Sequence, residues 1–184
     1  QVEPLQRAAA PQLVEDAHAL GLTGVRAIHT HRLYFLSDDP GAESLHRLCA
    51  SLLADPVTER ATWMPADEAP PPPDGRALVE VTYRPGVTDL EARELERGMV
   101  ELGLPDLHAA TGTRYELEGE LDPRAVRQLA RQLLANETVQ HWSLGSIHPT
   151  FARDAEPDAT VDAVPLDGLG DVDLLALSRE RLLA

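Results

Sequence analysis

An internal repeat constrains this chain more than any other feature. Leu20-Gly21-Leu22 recurs 82 positions later as Leu102-Gly103-Leu104. The same offset pairs Ala27 with Ala109, Arg32 with Arg114 and Phe35 with Leu117. Farther on, Leu52-Leu53-Ala54-Asp55 is echoed at an offset of 81 by Leu133-Leu134-Ala135-Asn136. Two blocks that keep their order across one small indel imply a duplicated unit, each copy burying surface that it cannot cover alone. The chain divides accordingly into a first repeat, residues 1–63, and a second, residues 77–146, joined by a linker, 64–76. Four consecutive prolines, Pro70 to Pro73, stiffen that linker toward the extended polyproline conformation.

The second copy carries the clearer local signals. Leu78 to Tyr83 alternates, with Val79, Val81 and Tyr83 on one side, and predicts a strand broken at Pro85-Gly86. Thr88 or Asp89 can cap a helix whose Leu95, Met99 and Leu102 share a face and which Gly103 ends. Leu107–Thr111 and Arg114–Leu121 read as two short strands about a turn at Gly112-Thr113. Asp122-Pro123 opens a second helix with Val126, Leu129, Ala130, Leu133 and Leu134 as its apolar stripe, and Thr138–Leu144 closes the unit. The first copy follows suit: a strand from Val2 to Arg7, a helix from Pro11 to Leu20 and a strand pair within Val25–Leu36. A helix from Asp39-Pro40 then carries Leu45, Leu48, Cys49, Leu52 and Leu53 on one side, before a strand over Val57–Trp63. The expected class is α+β: two ferredoxin-like βαββαβ repeats forming a pseudo-dimer, with antiparallel sheets and helices on one face. Residues 147–184 are expected to be a linker followed by a short amphipathic helix within Leu166–Ala184. A helix that short is marginal in water and has to dock, so the segment reads as the start of a larger protein. The opening at Gln1, without an initiator Met, likewise suggests residues upstream.

Charge narrows the function classes. The 31 acidic residues against 16 basic ones leave a net charge of −15, the wrong sign for a phosphate-binding surface, so nucleic acid is not an expected partner. Every basic residue is Arg, which excludes a lysine Schiff base and a P-loop lysine. A single cysteine, Cys49, leaves no intrachain disulfide and fits a reducing cytoplasm. No apolar run reaches the roughly 20 residues of a membrane helix, and no membrane partner is expected.

The chemical candidates are few. His29 and His31 would face the same way on a strand, as zinc ligands do, but without a visible set of further ligands they read as a polar strand face or interface. Cys49 lies on a helical stripe with Ala130 as its counterpart, and reads as a structural thiol. No G-x-G-x-x-G or Walker pattern occurs, and Gly168-Leu169-Gly170 is too short to cradle a phosphate. Asp38-Asp39 and the alternating Glu116, Glu118 and Glu120 could do acid–base work, though the latter set reads as a solvated sheet face. Arg32 and Arg114, taken as repeat-equivalent, could bind an anion or contact another chain, with a surface salt bridge the plainer reading.

With these residues assembled, the chain resembles the PurS family, the small subunit of phosphoribosylformylglycinamidine synthase. The resemblance rests on Val79-Glu80-Val81, Arg84-Pro85-Gly86-Val87-Thr88-Asp89, Leu102-Gly103-Leu104, Gly112-Thr113 and Leu133-Leu134-Ala135-Asn136, in that order. It covers about 130 of the 184 residues, and Leu52 to Val57 is similar to the last motif. Thr113 stands where the family has Lys, Glu137 replaces a Pro, and the first copy lacks the Gly-Val-x-Asp loop. The resemblance implies a non-catalytic subunit that dimerises and bridges the ATP-using synthetase and the glutaminase of purine biosynthesis. The doubled unit implies the N-terminal region of a fused, PurL-type synthetase, in which the tandem mimics that dimer. No catalytic, cofactor-binding or metal residue is implied in this chain; ATP and Mg are expected in the rest of the enzyme. Arg32, Arg114, Gly112 and Thr113 become the candidate interface. The alternative is a tandem ferredoxin-like regulatory module that binds a small effector.

Overall fold

In the computed structural model, the described residues are 1–4, 9–65 and 76–151, together with the isolated Glu68 and Gly170. The proline run and the helix expected within 166–184 lie outside them. The chain forms β1 (Val2–Pro4), α1 (Pro11–Ala19), β2 (Val25–Leu36), α2 (Ala42–Leu48), β3 (Glu59–Ala61), β4 (Arg76–Tyr83), α3 (Leu90–Glu101), β5 (Ala109–Gly119), α4 (Pro123–Leu129) and β6 (Gln140–Leu144). A π-helical turn extends α2 over Cys49–Leu53, and another extends α4 over Ala130–Leu134. No described helix is long and apolar enough to cross a membrane.

All six strands join one antiparallel sheet, ordered β3-β1-β2-β5-β4-β6. Two four-stranded units in separate sheets are therefore not what forms. Each half supplies three strands, because the expected turn at Gly112-Thr113 is absent: β5 runs unbroken through it, as β2 runs through the corresponding stretch. Gly112 serves close approach instead. A Cβ there would stand 2.6 Å from the Val81 carbonyl oxygen and 3.3 Å from the Phe35 ring. With β2 on one side and β4 on the other, a break at this point would strand ladder hydrogen bonds inside the sheet.

The register also relocates the indel. β2 carries an irregularity between Val25 and Ala27 that β5 lacks, and beyond it equivalent residues are 81 apart rather than 82. Tyr34 then matches Tyr115 and Leu36 matches Leu117, while Leu48, Cys49 and Ala54 match Leu129, Ala130 and Ala135. Arg32 and Arg114 are consequently not equivalent. Because side chains alternate across a strand, the one-residue shift sends them to opposite faces of the sheet.

Local signals hold at the helix ends. Gly21 and Gly103 adopt φ of 84° and 79°, the left-handed region that stops a helix. Asp122 caps α4 by accepting from the N–H groups of Arg124 and Ala125 at 2.8 and 2.7 Å. Asp89 caps α3 through Ala92 at 2.9 Å and, with its other oxygen, takes the N–H and hydroxyl of Thr111. Thr111 lies one residue past the last register pair of β4, at Gly112, so Asp89 supplies the acceptor that the shorter strand does not. Asp39-Pro40 does not open α2: Asp39 bonds the Gly41 N–H in a turn, and the helix begins at Ala42.

All four helices cover one face of the sheet. Ile28, Val79, Val81 and Leu117 meet Ala17 of α1 and Val126, Leu129 and Ala130 of α4 in one core. Leu48 of α2, with Ala92, Leu95 and Met99 of α3, packs beside Ala109 in a second. Each core thus joins one helix from each half. The expected stripes are only partly interior. Leu48 and Leu129 are fully buried, but Leu52 is 43% exposed and Leu133 is half-buried while Leu134 turns inward. The wider π turn rotates the stripe by part of a residue step after Leu48 and Leu129. Leu129→Ala should therefore lower stability by about 2–5 kcal/mol, whereas Leu52→Ala should cost clearly less; urea melts compare them. The two backbone N–H groups at Asp122 also hold its carboxyl below the usual carboxylate range. A lowered folded value stabilises above the unfolded pKa of about 3.9 and is lost as pH falls through the folded one. Asp122→Ala should accordingly be less stable than the parent at neutral pH, and the gap in thermal midpoint should close on acidification.

Candidate functional site

The face of the sheet away from the helices holds the polar groups. Along β2 it presents His29, His31, Leu33 and Phe35; along β5, Ala110, Gly112, Arg114, Glu116 and Glu118; along β4, Arg76, Leu78, Glu80 and Thr82. The pairing places His29 opposite Glu116 and Phe35 opposite Ala110, so one end of this open face is charged and the other apolar.

At the charged end one guanidinium and two imidazoles meet three carboxylates. Arg76 reaches Glu116 at 2.8 Å and Glu118 at 2.7 Å. His29 lies 3.3 Å from Glu118, and the buried His31 sits between Glu3 at 3.5 Å and Glu116 at 3.4 Å. Glu116 is buried, which corrects the expectation of a solvated glutamate face; Glu120 lies past the end of β5. The two histidines do face the same way, against carboxylates. Among the described residues no group of three or more His, Cys, Asp or Glu is arranged to hold a metal ion.

Glu80 and Arg114 mark the border between the two ends. Glu80 is 1% exposed. It accepts from Arg114 Nε at 2.6 Å through one oxygen and from the backbone N–H of Ile147 at 2.8 Å through the other. Arg114 Nη1 also donates to the side-chain oxygen of Gln1 at 2.7 Å. This buried pair pins the segment after β6 onto the open face, where Ile147 is buried. Over the apolar end lies a cavity of about 530 Å³. Leu33 and Phe35 line it from β2, Trp63 and Met64 from the strand-to-linker stretch, and Ile147 and Phe151 from the segment after β6.

No family model matches the chain, and no curated protein matches it significantly.

The four residues proposed as an interface come together at the centre of the sheet, where Arg32 pairs with Thr113 and Thr113 is flanked by Gly112 and Arg114. They do not form one surface. Arg32 lies on the helix side, 46% exposed, and grips both oxygens of Glu59 at 2.8 and 2.7 Å while also bonding Tyr34 Oη. Arg114 is enclosed on the other side, so a surface salt bridge describes Arg32 and not Arg114. Gly112 and Thr113 are strand positions within the sheet. The Arg114–Glu80–Ile147 link was missed because three distant stretches of chain create it. The alternation of Glu80 with Val79 and Val81 was the one hint, since it puts a carboxylate on the face opposite the core.

The thiol and the two phenols with shifted ionisation are held toward their neutral forms. Burial pushes the Cys49 thiol up. Burial, then the 2.6 Å hydrogen bond to Glu91, pushes the Tyr34 phenol up, and burial does the same to Tyr115. The arrangement is suited to holding segments together and to enclosing a small apolar group. Removing one member of a buried pair strands the other charge. Arg114→Ala should therefore cost about 3–5 kcal/mol, and Arg32→Ala less than about 1 kcal/mol. Parallel urea melts should rank the two variants in that order, and near-equal losses would refute the assignment of Arg114 to a buried pair.

Proposed function

We propose that the chain is a non-catalytic assembly region of phosphoribosylformylglycinamidine synthase, the glutamine-dependent amidotransferase of purine biosynthesis in the cytoplasm. It bridges the synthetase and glutaminase parts, as its resemblance to the PurS family implies. The supporting observation is the way the two halves are joined. Their strands form one sheet whose order reads third, first, second from either edge, with each core drawing a helix from each half. This is the arrangement expected when two ferredoxin-like-derived units that would otherwise dimerise are fused in tandem, each closing the other's open strand edge. Carboxylates engaged by Arg76 and Arg114 fit a scaffold better than a reaction centre. In this reading ATP and Mg belong to the synthetase portion, and the exposed Arg32, next to Glu59, is the member of the original interface set able to meet a partner.

The test uses the chain with the synthetase and glutaminase proteins of this enzyme. The expected outcome is co-elution of all three on size exclusion and glutamine-dependent formation of the amidine product only when the chain is present. The chain alone should turn over neither ATP nor glutamine. Absence of any complex, or full glutamine-dependent activity without the chain, would remove the assembly role.

A further inference from the structure

The cavity over the apolar end of the open face is not needed for a scaffold, and its construction points to a ligand. Its walls come from three stretches, each tied in place. Thr62 donates its N–H to the Gln1 carbonyl at 2.9 Å, Ser37 to the His108 carbonyl at 3.0 Å, and Ile147 to Glu80 at 2.8 Å. A pocket of about 530 Å³ falls in the usual range for small-molecule sites, which are largely apolar and preformed with a few polar groups for orientation.

The lining defines the ligand's chemistry. Leu33, Phe35 and Ile147 form an apolar floor, and Trp63 and Phe151 contribute aromatic surface. Arg114 is the one guanidinium among the described lining residues, and its charge is already met by Glu80. The rim carries the exposed carboxylates of Asp38 and Asp39. Each engages a neighbouring backbone N–H through Oδ1, at 2.8 Å in both cases. An anionic ligand would meet the negative charge of Asp38 and Asp39 at the mouth, whereas an ammonium would gain from it and from the aromatic faces.

We infer that this cavity binds a small organic amine, an ammonium group on an aromatic body, with the ring against Leu33 and Phe35 and the charge at Asp38 and Asp39. This site goes beyond the assembly reading and does not depend on it. Three probes of nearly the same shape test it on the full chain: 2-phenylethylamine, 2-phenylethanol and 3-phenylpropionate. Heteronuclear NMR follows the backbone signals of Leu33 and Phe35 and the indole of Trp63, assigned through Trp63→Phe. The amine should shift these signals saturably, with an affinity at least tenfold above that of the carboxylate. Replacing both rim residues, Asp38→Asn with Asp39→Asn, should reduce the amine to the level of the alcohol. These side chains are exposed, so an unchanged urea midpoint should confirm that the variant folds. No saturable shift with the amine, equal binding of amine and carboxylate, or an amine preference that survives the double replacement would each overturn the proposal. None of these outcomes bears on complex formation with the synthetase and glutaminase.

Discussion

The antiparallel pairing of β2 with β5 is the contact on which the rest depends. It joins the two halves along nearly the full length of both strands, with His31 opposite Arg114 at its midpoint. At its other edge each strand meets the first strand of its own half, β5 pairing with β4 from Thr82 to Arg76 and β2 pairing with β1 only at Arg32. It also brings α1 beside α4 and α2 beside α3, which makes both hydrophobic cores joint property of the halves. Separating the halves would expose Ile28 and Leu117 in one core and Leu48 and Met99 in the other, with the second half supplying most of the buried residues of both.

The two halves place different side chains on the open face. At the offset of 81, His29 and His31 correspond to Ala110 and Gly112, and Leu33 and Phe35 correspond to Arg114 and Glu116. Because β2 and β5 run antiparallel, the substitutions collect polar groups at one end and apolar groups at the other instead of mixing them. A charge taken from water is costly unless paired and hydrogen-bonded. The charged end meets that requirement with Arg76, Glu116, Glu118 and the histidines, and the border meets it with Glu80 and Arg114. The apolar end, by contrast, is roofed by the segments around Trp63 and Ile147, which leaves the cavity between them. One face of the sheet therefore carries an ion-paired polar end and a partly open apolar one.

Much of the fold was legible in the chain because its signals are local. The glycine stops at Gly21 and Gly103, the caps at Asp89 and Asp122, and the apolar spacing of α3 and α4 act within a few residues of themselves. Where reasoning along the chain went astray, a nonlocal partner decided. Gly112 looked like a turn because glycine permits one, but the close approach of Val81 makes it an extended strand position. Leu52 and Leu133 sat on ideal helical stripes, yet the π turns rotated them away from full burial.

The sequence by itself determined the α+β class of a chain that is acidic and built with arginine as its only basic residue besides histidine. It also determined that His29 and His31 share a face, because alternation along a strand needs no partner to hold. Only the tertiary structure decided that the halves share one sheet, since strand pairing depends on residues about 80 positions apart whose register leaves little mark on either strand. It alone decided the faces of Arg32 and Arg114: one irregular residue pair at the start of β2 changes the parity of every position that follows. The ionic link from Arg114 through Glu80 to Ile147 was likewise set by tertiary structure, because it exists only where β4, β5 and the stretch after β6 converge away from water.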